Sequence, residues 1–230
     1  MRIALVEDDT HVGQLESLWL EEAGFQHQLF VDGASFQKAA SRESFDLVIL
    51  DWMLPDTNGD DLLAWLRQHY DWRVPVVFVT ARDSEEDIVR MLSLGADDYI
   101  VKPVRRGEFL ARIQAVGRRV FGEPETKGTL SFPPFAIDLV ARTIVADDQP
   151  VDLTQKEFEL ALFMFRNAGR LISRTHILES VWGHRGGFPT RTVDTHMSRV
   201  RAKLGFGQDS PWRLQSIYNH GYRLERVESA

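Results

Sequence analysis

The sequence predicts two domains of different class. Residues 1–121 read as an α/β domain on a doubly wound, five-stranded parallel sheet, and residues 129–230 as a smaller α+β domain. Three observations carry this. Five short apolar runs alternate with amphipathic segments up to residue 121, the pattern of a parallel sheet covered on both faces by right-handed crossovers. From Thr129 the texture changes to short strands and turns, followed by helical periodicity. The charge divides as well: residues 1–121 hold 13 Lys/Arg against 21 Asp/Glu, a net of −8, and residues 122–230 hold 14 against 13, a net of +1. Such a division suggests two domains with different partners.

Composition narrows the class further. A hydrophobic content of 43% excludes wholesale disorder. Cysteine is absent, so disulfides and thiolate metal sites are excluded and a reducing cytoplasm is expected. No apolar run approaches the roughly 20 residues that span a bilayer. The start, Met1 to Asp9, turns acidic too early for a signal peptide. With a net charge of −7 overall, DNA binding has to rest on a local cluster.

In the first half, the run Ile3–Val6 meets Glu7-Asp8-Asp9 at once. A helix follows with Val12, Leu15, Leu18 and Trp19 expected on its inner face, and Gly24 ends it. Phe25–Phe30 reads as a sheet-edge strand. Phe45–Leu50 is a buried strand ending in Asp51, and Pro55 forces the chain out of regular structure. Gly59-Asp60 opens a helix carrying Leu62, Leu63 and Leu66. Val74–Val79 ends in Thr80-Ala81. A helix from Ser84 to Leu94 is closed by Gly95, Tyr99–Val101 ends in Lys102-Pro103, and Glu108–Val120 is the last amphipathic helix.

Asp51 alone reads either as a turn cap or as a group at the carboxyl edge of a parallel sheet, where such folds bind ligands. Four of the five strands end in chemically competent side chains: Glu7/Asp8, Asp51, Thr80 and Lys102. In a parallel sheet these ends share one edge. Three carboxylates against one ammonium are costly unless a cation binds, and an oxygen-only ligand set favours Mg²⁺. A carboxylate beside such a metal is a nucleophile towards phosphorus. No Gly-rich phosphate loop is present, so a nucleotide is not the expected donor.

Residues 1–121 closely resemble the receiver domain of bacterial two-component response regulators. The resemblance rests on Val6-Glu7-Asp8-Asp9, Leu50 to Pro55, Thr80-Ala81, and Gly95-Ala96-Asp97-Asp98-Tyr99 through Lys102-Pro103. It implies a flavodoxin-like strand order and a phosphoacceptor Asp51 that takes its phosphoryl group from a sensor histidine kinase. It also implies Mg²⁺ on Asp8, Asp51 and the Met53 carbonyl with Glu7 assisting, phosphoryl contacts from Thr80 and Lys102, a switch pair Thr80 and Tyr99, and a cis Lys102–Pro103 bond. Dimerisation of the activated protein would use Asp97, Glu108, Arg112 and Arg119. Ile88 and Ser93 stand where charges are common on that surface, so a weaker or more apolar dimer is expected.

Residues 122–128 combine charge, Pro and Gly without apolar period and read as a linker. Beyond it, Phe135–Leu139, Thr143–Ala146 and Val151–Leu153 are expected strands, with a turn at Asp147-Asp148-Gln149. Thr154 and Glu157 form a capping box for a helix bearing Phe158, Leu160, Ala161, Leu162 and Phe165. Ser173 caps a second helix with Ile177, Leu178, Val181 and Trp182. A loop from His184 to Pro189 leads to a third helix, Thr190–Leu204. At 100° per residue, Val193, Met197, Val200 and Leu204 form its core stripe. Arg191, Thr195, Ser198 and Ala202 lie opposite, where they could meet base edges in a major groove. Arg199, Lys203 and His196 flank one side and Arg201 the other, as phosphate contacts would. Trp212–Leu224 reads as a hairpin turning through Asn219 and Gly221, which completes a winged helix.

Residues 129–227 resemble the winged-helix effector domain of the largest response-regulator subfamily, the OmpR/PhoB type. Leu153-Thr154, Glu157-Phe158, Ser173-Arg174, Val181-Trp182-Gly183, Arg191 to Asp194 with His196, Arg199-Val200-Arg201 and Gly221-Tyr222-Arg223 carry it. The resemblance implies promoter DNA as a partner, with Arg223 among the contacts, and RNA polymerase beside it. Tyr218-Asn219 replaces the Arg-Gly that many relatives carry in the wing, so one cation is missing there. The resulting expectation is a transcription regulator whose enzymatic chemistry is confined to phosphoryl transfer and autodephosphorylation at Asp51. Two other readings are a constitutively dimeric, unphosphorylated receiver and a Mg²⁺-dependent aspartyl phosphatase. The latter commonly needs an acid two residues after its nucleophile, and Met53 holds that position.

Overall fold

The structure is a computed structural model and describes residues 1–70, 73–122, 128–183, 189–207 and 210–227. Residues 123–127 of the expected linker and 184–188 of the expected loop lie outside the described residues. The chain divides into two compact units, Met1–Ser41 with Phe45–Glu123, and Arg42–Ser44 with Pro124–Ala230.

The first unit runs β1 (Arg2–Val6), α1 (Thr10–Glu22), β2 (Gln26–Phe30), α2 (Gly33–Ala40), β3 (Leu47–Leu50), α3 (Gly59–His69), β4 (Val76–Thr80), α4 (Glu85–Ser93), β5 (Asp98–Val101) and α5 (Arg106–Phe121). All five strands are parallel, in the order β2-β1-β3-β4-β5, the flavodoxin-like order. Alternation along each strand divides the core. Ala4, Val6, Val48 and Phe78 face one side with Phe36, Leu62, Leu66 and Met91. Ile3, Leu5, Ile49 and Val79 face the other with Leu20, Phe109 and Ile113.

Two features depart from the sequence expectation. Helix α2 is not signalled by an apolar stripe, since its buried contacts reduce to Gly33, Phe36 and Ala40; Asp32 starts it by accepting from the Ser35 amide at 2.6 Å. In α1 the inner face is Gly13, Glu16 and Leu20, whereas Leu15 and Leu18 stand 47% and 49% exposed. The physical reason lies at Gly13, where a Cβ would sit 2.9 Å from Leu29 Cδ1. The helix approaches the sheet closely along that glycine, and Leu15 and Leu18 are turned outward.

The second unit begins with an antiparallel sheet, β6 (Thr129–Phe132), β7 (Phe135–Asp138), β8 (Thr143–Ala146) and β9 (Gln149–Val151). Strand β9 starts earlier than the expected Val151–Leu153. Asp147 and Asp148 both take positive φ, 49° and 61°, and close a tight turn that pairs Gln149 with Ala146 directly. Then come α6 (Gln155–Arg166), the short β10 (Ile172–Ser173), α7 (Arg174–Trp182), α8 (Arg191–Lys203) and the hairpin β11 (Trp212–Ile217) and β12 (Gly221–Arg226). The capping box at Thr154 and Glu157 is formed. Strand β10 pairs with β12, and the contact is so close at Gly221 that a Cβ would fall 1.8 Å from the Ile172 carbonyl oxygen. Asn219 makes the hairpin turn with φ 56°. Phe165, Ile177, Val193, Met197, Val200, Trp212 and Leu224 share one core.

Candidate functional site

The carboxyl edge of the parallel sheet collects the predicted groups. β3 delivers Asp51, which is 7% exposed, and the tight passage at Gly59 holds the loop after it. A Cβ on Gly59 would meet the Asp51 carbonyl oxygen and Trp52 Cα at 2.9 Å, and the Gly59 amide donates to the Trp52 carbonyl at 2.7 Å. The Met53 amide donates to Asp51 Oδ1 at 3.3 Å, and Met53 itself is exposed. Carboxylate oxygens of Glu7, Asp8 and Asp51 all lie within 4.8 Å of one another. Lys102, brought in beyond β5 with its cis Lys102–Pro103 bond, donates from Nζ to Asp51 Oδ2 at 2.6 Å and to Glu7 at 2.7 and 2.9 Å.

The electrostatics follow from three acids sharing one ammonium. Burial pushes Glu7 above the usual carboxylate range, against the pull of Lys102 and with Asp51 adding to the rise. Burial by itself draws the Lys102 ammonium down, but its bonds to Asp51 and Glu7 outweigh that, and the net shift is upward. Both shifts are upward for different reasons: on Lys102 two acids outweigh burial, while on Glu7 burial and an acidic neighbour outweigh its share of one ammonium. The donor set is all oxygen, crowded and under-neutralised, and it fits a hard divalent cation.

Thr80 ends β4 almost fully buried, with its hydroxyl accepting weakly from the Arg82 amide at 3.5 Å. Tyr99 packs on Phe78, and its hydroxyl donates to the Arg82 carbonyl at 2.5 Å. Arg82 in turn stacks over the Trp52 ring at 4.6 Å and pairs with Asp87 at 3.2 Å. Sequence reasoning did not single out Arg82. It also missed Glu16, which is 1% exposed and has no hydrogen-bond partner for either oxygen among the described residues. Burial first, then the negative charge of Glu7, push its carboxyl up to about 8.

On the expected dimer surface, Glu108 and Arg119 are exposed. Arg112 is bonded to Glu108 at 2.9 Å and to Asp98 at 3.1 Å. Asp97 points into the fold, accepting from the Val76 amide at 2.9 Å and facing Arg67 at 3.5 Å. Val89, Leu92, Leu94 and Val101 are exposed apolar residues of α4, the turn after it, and β5.

In the second unit, α8 buries Val193, Met197 and Val200 and exposes Arg191, Thr195, Ser198, Arg199 and Ala202. The flanking groups are more constrained than their sequence positions suggest. Lys203 donates to Glu157 at 2.8 Å. Burial alone would raise Glu157, but Lys203 and the Thr154 amide hold it below the usual range. Arg201 donates to the Leu214 carbonyl at 2.9 Å. His196 bonds the Thr192 carbonyl at 2.9 Å and packs edge-on to Trp182. Arg223 is half-buried in β12, and Tyr218 at the hairpin tip is 87% exposed.

Comparison with known proteins agrees with this geometry in both halves. Residues 3–114 match the response regulator receiver domain, and residues 148–224 match the C-terminal domain of transcriptional regulatory proteins. The sensory transduction protein RegX3 of Mycolicibacterium smegmatis is 36% identical over 226 residues, covering 97% of this chain and 98% of that protein. The phosphate regulon transcriptional regulatory protein PhoB of Rhizobium meliloti is also 36% identical over 226 residues, with the same coverage. Among solved structures, a two-component response regulator from Clostridium difficile superposes with a TM-score of 0.50 at 26% identity, over 52% of this chain and 98% of that one. A receiver sheet with an acidic pocket at its carboxyl edge, joined to a winged helix and matched over nearly its whole length by such proteins, places the chain in the family of two-component response regulators of the OmpR/PhoB type.

Proposed function

We propose that Asp51 is the phosphoacceptor of this regulator and that its phosphorylation controls DNA binding by α8 and the wing, within boundaries of 1–121 for the receiver, 122–128 for the linker and 129–230 for the effector. The observation that carries the reading is the meeting of Glu7, Asp8, Asp51 and Lys102 at one sheet edge. A carboxylate oxygen of Asp51 attacks the phosphorus of a kinase phosphohistidine. The new O–P bond forms as the N–P bond breaks, and the imidazole leaves as a neutral ring after taking up a proton. Lys102, already on Asp51, then holds a phosphoryl oxygen, and the Thr80 hydroxyl holds another. Glu7, Asp8, Asp51 and the Met53 carbonyl would bind Mg²⁺. When bound, Mg²⁺ neutralises the acids and the charge that develops on the phosphoryl group.

Movement of Thr80 towards the phosphoryl group releases the space that Tyr99 shares with Arg82, and the rearranged α4 and β5 surface favours a dimer. The exposed Val89, Leu92 and Val101 support a dimer more apolar than the charge lattice of Asp97, Glu108, Arg112 and Arg119 alone would give. Two tethered winged helices then gain affinity through effective concentration. RNA polymerase contact, autodephosphorylation at Asp51 and a cytoplasmic location belong to the same reading. In the wing, Tyr218 supplies no cation, so Tyr218→Arg should tighten DNA binding and steepen its salt dependence.

Incubation with acetyl phosphate and Mg²⁺, followed by intact-mass measurement, tests the acceptor. A gain of one phosphoryl group on the native chain and none on Asp51→Asn is the expected result. No gain on the native chain would favour a constitutive receiver, and rapid turnover of the donor would favour a phosphatase. Selection of bound duplexes from a random pool, with and without a beryllofluoride mimic, tests the output.

A further inference from the structure

Helix α8 has two flanks, and they do different work. On one lie Arg199, Lys203 and His196. On the other, seven residues apart and so two turns, or roughly 10 Å, along the helix, lie Asp194 and Arg201. Both residues of this second flank reach the hairpin. Arg201 donates to the Leu214 carbonyl of β11 at 2.9 Å. Asp194 Oδ1 accepts from the Tyr222 hydroxyl of β12 at 2.6 Å and from Arg174 Nε at 2.8 Å. Arg174 closes the circuit: its guanidinium lies 5.0 Å from the centre of the Tyr222 ring and donates to Ser216 Oγ at 3.4 Å.

The Asp194 carboxylate opposes the surface beside it. It stands in the first turn of a helix whose neighbouring face carries Arg191, Thr195, Ser198 and Arg199 outward. A negative charge beside a surface meant for phosphates weakens attraction to DNA. An acid in the first turn suits the helix dipole but does nothing to attract phosphates. What Asp194 adds by its geometry is an acceptor for two bonds at once, one from α7 and one from β12.

We infer that Asp194 is a positioning residue that locks the wing in register with the recognition helix, so that α8 and the hairpin meet DNA as one rigid body. This rests on the DNA-binding reading of α8. Gly221, pressed on the Ile172 carbonyl, fixes the hairpin to β10; Asp194 and Arg201 fix it to α8. The hairpin tip from Ser216 to His220 is then held at a set offset from the helix, with no freedom to seek its own contact.

The test compares DNA binding of the full-length protein and its variants, using a duplex recovered by native protein from a random pool. Electrostatics alone predicts that Asp194→Ala binds more tightly, because a negative charge is gone. The positioning role predicts the reverse sign, with affinity falling about tenfold, or about 1.4 kcal/mol. Asp194→Asn, which keeps an acceptor oxygen, should recover most of the loss. Tyr222→Phe should weaken binding too, and the double variant Asp194→Ala/Tyr222→Phe should be no weaker than Asp194→Ala. Re-selection with Asp194→Ala should keep the base preferences under α8 and lose those under the wing. Equal or tighter binding by Asp194→Ala would overturn the inference. Should that variant melt early, Tyr222→Phe, which removes a single oxygen, decides in its place, and unchanged affinity there would also overturn it. Native protein that selects no sequence would instead overturn the DNA-binding reading itself.

Discussion

Glu16 places a carboxyl between α1 and the sheet with no hydrogen-bond partner among the described residues. Its folded value of about 8 lies above the ordinary 4.5, so the folded state binds the proton more tightly than the unfolded chain. The stability this permits is complete below about pH 4.5 and is lost as pH rises through 8. At about 1.4 kcal/mol per unit, the loss is on the order of a few kcal/mol. Thermal melts should show Glu16→Gln flattening the fall in melting temperature between pH 5 and 8, and Glu16→Leu stabilising most at the alkaline end; parallel slopes for native and Gln proteins would refute this. A second residue-scale expectation concerns Asp51. Asp51→Asn removes one of three crowded acids and should raise the melting temperature without metal, while abolishing most of the rise that Mg²⁺ produces in the native protein. Asp51, Glu7 and Lys102 were legible in the sequence because each follows an apolar run that had to be a strand. Glu16 was not, since a periodicity argument assigns a carboxylate to solvent by default.

At the scale of elements, the five strands of the parallel sheet and the core stripe of α8 follow from pattern, whereas β6 and β10 do not, and the exceptions have local causes. Leu15 and Leu18 look inward until Gly13 is seen to set the contact face of α1. Helix α2 is held by the Asp32 cap and by Asp56, which accepts from the Gly33 and Ala34 amides at 2.9 and 2.8 Å. A tertiary cap from 23 residues away leaves no mark on local sequence. Gly59 binds an element to the pocket. Gly59→Ala pushes a methyl group against the Asp51 backbone, and the expected cost is about 1–3 kcal/mol in urea melts with slower phosphorylation of Asp51. An alanine of native stability and rate would show that the loop yields freely. In the second unit, Thr154→Ala opens the capping box and should cost about 1 kcal/mol.

For the whole molecule, the division of charge is the most consequential property. A receiver of −8 is tethered to an effector, residues 129–230, of +2 (13 Lys/Arg against 11 Asp/Glu), so the acidic half opposes approach to DNA at low ionic strength. A fragment of residues 129–230 should therefore bind random-sequence duplex more tightly than the full chain in low salt, and the difference should shrink as salt rises past the physiological range. Identical curves would mean that the receiver's field does not reach the DNA. Sequence showed this asymmetry directly. It could not show that Lys203 and Arg201, counted as cations for DNA, are already bonded to Glu157 and to the Leu214 carbonyl, because those partners lie 46 and 13 residues away along the chain.

The contact at Gly221 also bears on altering what the protein recognises. Any side chain there must displace the Ile172 carbonyl, so the base of the hairpin admits no variation. Tyr218 and His220 are exposed and touch no such wall, and Asn219 needs only a residue at ease with positive φ. A library confined to those tip positions, with Gly221, Tyr222 and Asp194 left alone, would explore new target sites on an unaltered frame.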